Sequence, residues 1–112
     1  MKPLASEELR LRVRIEAETR GPNGRGGFTT AWTPLVAVWA KKVPLRGDEI
    51  TRESIVRSVS TARFIIRYRA DVSPLHRIVE LRSGRIWNIR SSDDPYGNRD
   101  RLELTAETGV PT

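Results

Sequence analysis

Alternation of apolar and charged residues is the dominant pattern in this chain, and it begins near the amino terminus. From Leu9 to Ala17 every second residue is apolar, and the residues between them are Arg or Glu. A period of two is typical of a strand with one buried face, because successive side chains of a strand point to opposite sides. The segment therefore predicts a half-buried strand roughly 30 Å long.

The second predicted strand, from about Thr33 to Val43, carries apolar residues on both of its faces. A strand of this kind is covered twice. One cover is the core of the domain, and the other is a neighbouring subunit or a helix packed on the outside. The strand ends at Pro44, which has no N–H group to donate to a ladder.

Four further segments show strand periodicity or hairpin chemistry, and they lie at 62–69, 77–81, 85–90 and 101–107. In the first of them Phe64, Ile66 and Tyr68 are expected to face inward. The second and third form a hairpin across Ser83-Gly84. Strands at short, even spacing are typical of an antiparallel barrel. We therefore predict a mainly β fold, a small antiparallel β-barrel of about six strands with one short helix or long inserted loop.

A glycine-rich stretch separates the first two predicted strands. Residues 20–28 contain four glycines and a proline, which predicts a mobile hairpin loop. Its flexible tip is expected at Gly24, Arg25, Gly26 and Gly27. Glycines also cradle phosphates, but a phosphate-binding loop needs Gly-Lys-Ser/Thr leading into a helix, and here Phe28 leads into a strand. Nucleotide binding is therefore not expected.

A second interruption falls at 47–60, where the period of two is lost. Ile50, Ile55 and Val59 give a weak helical stripe, so the segment is predicted as either a short helix or a long ordered loop. A shorter irregular stretch follows at Ser73-Pro74. There Ser is suited to cap one helical turn and Pro to occupy its first position.

The length of 112 residues fits a single domain spanning 1–112, with flexible termini expected at 1–8 and 108–112. No apolar run approaches the length of about 18 residues that a membrane helix needs. Met1-Lys2-Pro3-Leu4 also lacks the apolar region of a signal peptide. We therefore expect no membrane partner and assembly in the cytoplasm.

Candidate catalytic chemistry is scarce. The chain has no Cys and one His, which leaves neither disulfides nor a credible metal cluster. His76 has no nucleophile and orienting acid at a supporting spacing, and a surface position in a turn suits it better. Asp93 and Asp94 are better explained as turn residues than as an acid/base pair. No catalytic residue, cofactor or metal is expected, and the chain is not predicted to be an enzyme.

Arginine dominates the charge of the chain. Twenty basic and fourteen acidic residues give a net charge of +6. Arg favours bidentate contacts with carboxylates and phosphates, so these residues indicate either protein interfaces or contact with a nucleic-acid backbone. The alternative for any one of them is a solvated strand face. Candidate interface residues are those that the alternation keeps off the core, namely Arg12, Arg14, Arg67 and Arg69.

The three tryptophans are the large apolar anchors. Trp39 and Trp87 lie inside strand patterns and are expected in the core, whereas Trp32, beside the loop, is a candidate interface anchor. An OB-like nucleic-acid-binding module is the alternative to an assembly role. Base stacking would need aromatic residues among the Arg side chains of one face. Phe64, Tyr68 and Trp87 instead fall on alternating positions, which weakens this alternative.

The order of these parts resembles the phage head–tail joining proteins, the head-closure or stopper family of connectors. The resemblance covers roughly residues 11–107 and rests on the order of several short pieces. The matching pieces are Arg12-Val13-Arg14-Ile15, Gly26-Gly27-Phe28 before Trp32, Val38-Trp39-Ala40, Val43-Pro44-Leu45-Arg46-Gly47-Asp48-Glu49, Arg67-Tyr68-Arg69-Ala70-Asp71-Val72-Ser73-Pro74, Arg77-Ile78, Gly84-Arg85-Ile86-Trp87-Asn88-Ile89, Asp94-Pro95 with Gly97, and Leu102-Glu103-Leu104.

The resemblance implies a β-barrel subunit of a closed ring in the neck of a tailed phage or of a phage-like gene-transfer particle. Its partners would be other copies of itself, portal and adaptor proteins above, tail terminator or tail tube proteins below, and double-stranded DNA passing through without sequence recognition. After assembly in the host cytoplasm it would reside in the particle neck.

In similar joining proteins the connection equivalent to 45–60 projects from the barrel and can occlude the DNA path. By this resemblance, we expect a channel-facing gate segment in which Arg46, Arg52 and Arg57 contact phosphate. Asp48, Glu49 and Glu53 would keep that contact weak. The alternative is a short helix that covers one face of the barrel.

Overall fold

Strands dominate the described part of the chain, which is residues 6–22, 24–45 and 60–108 of a computed structural model. After a short 3-10 helix at Ser6–Glu8 come β1 (Leu11–Pro22), β2 (Phe28–Pro44), β3 (Ser60–Arg67), β4 (Arg77–Glu80), β5 (Ile86–Asp93) and β6 (Arg101–Thr108). The strands form a closed barrel in the order β1-β2-β3-β6-β5-β4. Every pairing is antiparallel. The predicted mainly β fold with six antiparallel strands is confirmed.

The core of the barrel is built from alternate residues, because every second side chain of a strand points inward. All six strands contribute buried apolar side chains, which include Val13, Ile15, Ala40, Phe64, Ile66, Ile78, Trp87, Ile89, Leu102, Leu104 and Ala106. Phe64 meets Trp87 edge to face, with ring centroids 5.2 Å apart and planes at 70°. This is a favoured aromatic geometry. Tyr68, predicted to face inward, is only half-buried and lies just beyond β3.

A buried carboxylate, that of Glu80, sits beside the aromatic core. Its Oε2 accepts a hydrogen bond of 2.6 Å from the indole Nε1 of Trp87 and one of 3.1 Å from Nζ of Lys42. The Lys42 ammonium also lies 5.0 Å from the centroid of the Trp87 ring. Burying a charge is costly unless it is paired and hydrogen-bonded, and here both conditions are met.

A second buried carboxylate, that of Glu16, holds β1 and β4 together. Its Oε1 accepts from Nε of Arg77 and its Oε2 from Nε of Arg14, both at 2.7 Å. Burial raises the pKa of Glu16, but the hydrogen bonds and charges of Arg77 and Arg14 together outweigh it, so the pKa lies below the ordinary 4.5. The carboxylate is therefore ionised in the folded barrel at neutral pH.

The stability of the barrel should depend on this carboxylate in acid. A group whose pKa is lowered by folding stabilises the fold above its unfolded pKa, and this contribution is lost as the pH falls through the folded value. We expect Glu16→Gln to lower the free energy of unfolding at pH 7 by about 1.5–3 kcal/mol, the usual contribution of hydrogen bonds to charged groups. In urea titrations, the difference from wild type should shrink as the pH falls below 4.5.

The control for this prediction is Glu103→Gln. Glu103 lies 3.9 Å from Nε of Arg63 in a contact more exposed than that of Glu16, so its loss should cost less than about 1 kcal/mol. An equal loss in the two variants, or a Glu16→Gln difference independent of pH, would contradict the role given to Glu16.

The strand bounds differ from the predicted ones most at the β1–β2 hairpin. β1 continues to Pro22 and β2 begins at Phe28, so the strands extend further into the glycine-rich stretch than predicted. Pro22 is tolerated because it is the last residue of its strand. Among the described strands, 17–22 pair only with 28–33, and these residues form a two-stranded hairpin arm that continues beyond the other ladders of the barrel.

Ser73-Pro74 close a single turn, in which Leu75 N donates to Ser73 Oγ at 3.2 Å and His76 N donates to Ser73 O at 3.1 Å. Ser73 thus caps this turn as predicted, and the chain then enters β4. Two regular elements reach into the predicted flexible termini, 1–8 and 108–112. Ser6–Glu8 form a 3-10 helix, and Thr108 ends β6 with its Oγ1 donating to Ile86 O at 2.7 Å.

The remaining residues of the predicted flexible termini lie outside the described part of the chain, as does the segment predicted as a helix or loop up to residue 59. Within 6–22, 24–45 and 60–108, no helix is long and apolar enough to cross a membrane.

Candidate functional site

An open cleft forms where β2 and β3 separate. Their ladder runs from Pro44 paired with Ala62 to Lys41 paired with Ile65, and it stops there. β3 remains paired with β6 as far as Arg67, and β2 remains paired with β1. Among the described residues, β2 and β3 therefore do not pair with each other beyond Lys41 and Ile65. The gap between them opens into a cleft.

The cleft has a volume of about 800 Å³ and combines apolar and cationic side chains. The described residues of its lining are Leu9, Arg10, Arg12, Ala37, Val38, Trp39, Arg67, Tyr68 and Arg69. Four of these residues are Arg and none is acidic. A surface with this composition suits a ligand that offers both negative charge and an apolar group.

Trp39 lies in this cleft and not in the core of the barrel. Its side chain is 51% exposed, which corrects the prediction of a core position. The cause is the parity of β2: Ala40 points inward and is fully buried, so Trp39 points outward. Arg12 is its cross-strand partner, and the guanidinium carbon lies 5.2 Å from the ring centroid. The contact is a cation–π pair on the barrel surface.

Arg69, at the other side of the cleft, is held by a neighbouring carboxylate. Its Nε and Nη2 donate to Oδ1 and Oδ2 of Asp71, each at 3.0 Å. These hydrogen bonds raise the pKa of Arg69 and lower the pKa of Asp71. The fork geometry fixes the direction of the Arg69 guanidinium.

The structure brings together three of the four predicted interface arginines, Arg12, Arg67 and Arg69, in this one cleft. Arg14 lies elsewhere and is hydrogen-bonded to Glu16. Trp32 is half-buried, with the guanidinium of Arg77 at 4.4 Å from its ring centroid. It therefore belongs to the base of the hairpin arm and not to the cleft. That any of these residues contacts a partner stays a prediction.

Sequence reasoning did not identify Leu9, Arg10 and Tyr68 as cleft residues. The signal for Arg10 was available, because it shares the outward parity of Arg12. Tyr68 could not be found in this way, because it enters the cleft only through the early end of the β2–β3 ladder. Register between strands distant in the chain is not encoded in their periodicity.

The other predicted site residues divide into two groups. At the hairpin tip, Gly24 and Gly26 have φ values of 79° and 83°, in the left-handed region that favours glycine, and Arg25 is exposed between them. Gly27 completes that tip. The predicted gate residues Arg46, Asp48, Glu49, Arg52, Glu53 and Arg57 lie outside the described part of the chain, and their role stays a prediction.

The residues considered for catalysis serve their own turns. His76 Nδ1 accepts from Ser73 N at 3.2 Å, and Asp94 Oδ2 accepts from Arg99 N at 3.0 Å. Both bonds are of the kind that polar side chains make in turns. No cluster of His, Cys, Asp and Glu suited to a metal ion occurs among the described residues.

Comparisons with known proteins show which family and which solved structures the chain is similar to. The family model of the phage head completion proteins matches residues 4–109. A protein of Shigella flexneri 2a, solved in solution, is similar in structure with a TM-score of 0.71 and 25% identity, over 97% of this chain and 100% of that one. A chain of the virion of a native gene transfer agent particle has a TM-score of 0.64 and 22% identity, over 92% and 98%. A search of curated proteins gives no match.

Proposed function

The chain belongs to the phage head completion protein family, and from this membership we propose that it forms a ring that joins the portal or adaptor to the tail. Its established class is that of a structural protein of the virion head. The finer role in the neck includes retaining packaged DNA and letting it pass. Assembly in the host cytoplasm precedes this role.

The observation that carries the ring is the outer face of β2. Leu35 points outward and is 38% exposed, and Phe28, at the start of the strand, is 70% exposed. Monomeric proteins rarely leave large apolar side chains uncovered along one element. A subunit seated in a ring covers such a face against its neighbours.

The hairpin arm protrudes from the barrel, so it can contact a neighbouring copy in a ring. The molecule measures 54 × 32 × 28 Å, so one axis is much longer than the others. A protruding two-stranded element with a free edge can contact a neighbouring copy head to tail, and such heterologous contacts close into rings. Trp32 and Arg77 anchor the base of the arm by their cation–π contact.

The positive charge of the chain supports DNA and the adjoining protein rings as further partners. A net charge of +6 favours proximity to DNA, through contacts with phosphate that do not depend on sequence. The arginines of the cleft suit acidic surfaces of the rings above and below. The gene transfer agent particle among the similar structures is consistent with either a phage or a phage-like particle as the setting.

The ring is tested by electron microscopy of purified particles viewed down the tail axis. We expect class averages with a closed ring of this chain between the portal and the tail, identified by a fused tag that adds density at each subunit. Particles without the tag are the matched control. Tag density spread over the capsid shell, or missing from the neck, would refute the neck assignment.

A nucleic-acid-binding module is the second candidate, and one observation favours it. Trp39 and Arg12 share the barrel surface, whereas the sequence placed the aromatic residues apart from the arginines. Such a module binds single strands tightly, with an affinity that falls steeply as salt is added. Absence of binding by the free protein near physiological salt would remove this candidate.

A further inference from the structure

We infer that the cleft between β2 and β3 is a docking site for an extended acidic peptide segment of another virion protein, with an apolar side chain seated on Trp39. The inference rests on the proposed function only for the source of the segment, a neighbour in the particle. The recognition itself follows from the charge, the free strand edge and the apolar floor of the cleft.

The charge of the cleft selects an acidic ligand. Arg10, Arg12, Arg67 and Arg69 line it together, and no Asp or Glu occurs among the described residues of the lining. Arg69 is paired with Asp71, but the guanidinium of Arg12 has only the Trp39 ring as a partner among the described residues. A carboxylate of the ligand can pair with Arg12 without displacing an existing salt bridge. The new ion pair therefore favours binding.

The same charge argues against a second copy of this chain as the occupant. Two copies each carry +6, so their approach at an arginine-rich face is opposed by repulsion. Two acidic side chains of the barrel wall, Glu16 and Glu80, are already engaged with Arg and Lys. An acidic segment of another protein is not repelled by the arginines, and its carboxylates are available to pair with them.

The strand edge selects an extended conformation. Between Phe28 and Ala40 the side of β2 facing away from β1 is not paired with β3. An extended peptide can add to such an edge through main-chain hydrogen bonds, while pockets beside the edge read its side chains. Neighbouring strands lie about 4.8 Å apart, so a strand added at the edge of β2 would enter the cleft.

The apolar floor selects a peptide over duplex DNA. Leu9, Val38 and Trp39 give the cleft apolar surface that needs an apolar group to cover it. A duplex presents phosphates outward and is too wide to enter the gap of a sheet. A peptide of alternating acidic and apolar residues satisfies the arginines and the floor at once.

The test measures binding of a labelled synthetic peptide to the full chain. The peptide has about ten residues of alternating Glu and Leu, which covers most of the free edge of β2. Its control has Gln in place of Glu. By fluorescence anisotropy at about 0.15 M salt, we expect saturable binding of the Glu peptide and affinity at least tenfold weaker for the Gln peptide.

Variants locate the site. Trp39→Ala and Arg12→Glu should each weaken binding by about tenfold or more, as expected for a central anchor and a desolvated charge. Two matched controls should bind as wild type does: Tyr96→Ala removes an exposed aromatic side chain between β5 and β6, and Arg82→Glu reverses an exposed charge in the β4–β5 turn. Thermal unfolding shows whether each variant is folded. If Trp39→Ala does not fold, peptide binding by Arg12→Glu tests the site.

Three results would overturn the proposal. The first is no binding, or equal binding of the Glu and Gln peptides. The second is tighter binding of an oligo-dT of similar length that the cleft variants abolish, which would assign the cleft to single-stranded nucleic acid. The third is self-association lost in Trp39→Ala, which would assign it to a second copy. The ring is tested separately, by electron microscopy of whole particles. Failure of the peptide-docking proposal can therefore be told apart from failure of the ring proposal.

Discussion

Replacing Trp87 with alanine is expected to lower the free energy of unfolding by about 3–5 kcal/mol, enough to unfold much of a small domain. Trp87 is 2% exposed and packs edge to face on Phe64. Its removal leaves a large cavity in the barrel and takes a hydrogen bond from the buried Glu80 carboxylate. The expected measurement is urea unfolding followed by circular dichroism.

The matched control is the same substitution at the exposed tryptophan. Trp39→Ala removes the same atoms from a side chain that is 51% exposed, so its loss should stay within about 1 kcal/mol. Similar losses in the two variants would mean that Trp87 does not hold the core. The contrast also separates the structural tryptophan from the one proposed for binding.

Reversing two charges in the cleft is expected to block the joining of heads to tails. In Arg12→Glu combined with Arg67→Glu, the cleft would repel the acidic partner that it is proposed to hold. Tailed particles counted by electron microscopy, and transfer of DNA to recipient cells, should fall by about tenfold or more. The purified subunit should remain folded, because Arg12 and Arg67 are exposed.

The control pair is Arg82→Glu with Arg85→Glu, which makes the same change of net charge in the β4–β5 turn. It should leave tailed particles at the wild-type level. Arg14→Glu is unsuitable for this purpose, because it would place a carboxylate beside Glu16 and destabilise the fold. Fully tailed particles from the Arg12 and Arg67 double variant would refute the interface role of the cleft.

Periodicity predicted the strands and much of the core, because a buried face imposes a period of two that the sequence displays directly. Phe64, Ile66 and Trp87 were placed inward on this basis, and all three are buried. Trp39 was misplaced because its position inside a strand pattern was taken to indicate the core, although its neighbours Val38 and Ala40 carry the inward parity. The outward parity of its position leaves the side chain of Trp39 exposed.

The cleft could be predicted only in part. The arginines were recognisable from alternation, but their meeting depends on where the β2–β3 ladder ends, at Lys41 and Ile65. β2 and β3 are separated in the chain by residues 45–59, and the register between distant strands is not encoded in their periodicity. The hairpin arm was missed for a local reason: Gly21 and Pro22 predict a break, yet both pair in β1 opposite Thr29 and Phe28.

The strand order has a consequence for how the subunit is made. β6 lies between β3 and β5, so the circle of strands cannot close until β6 has left the ribosome. The β1–β2 hairpin can pair much earlier, because its contacts are local. A nascent or truncated chain without β6 would carry open edges on β3 and β5, which favour capture by chaperones or aggregation. Late closure of this kind would keep incomplete subunits out of an assembling particle.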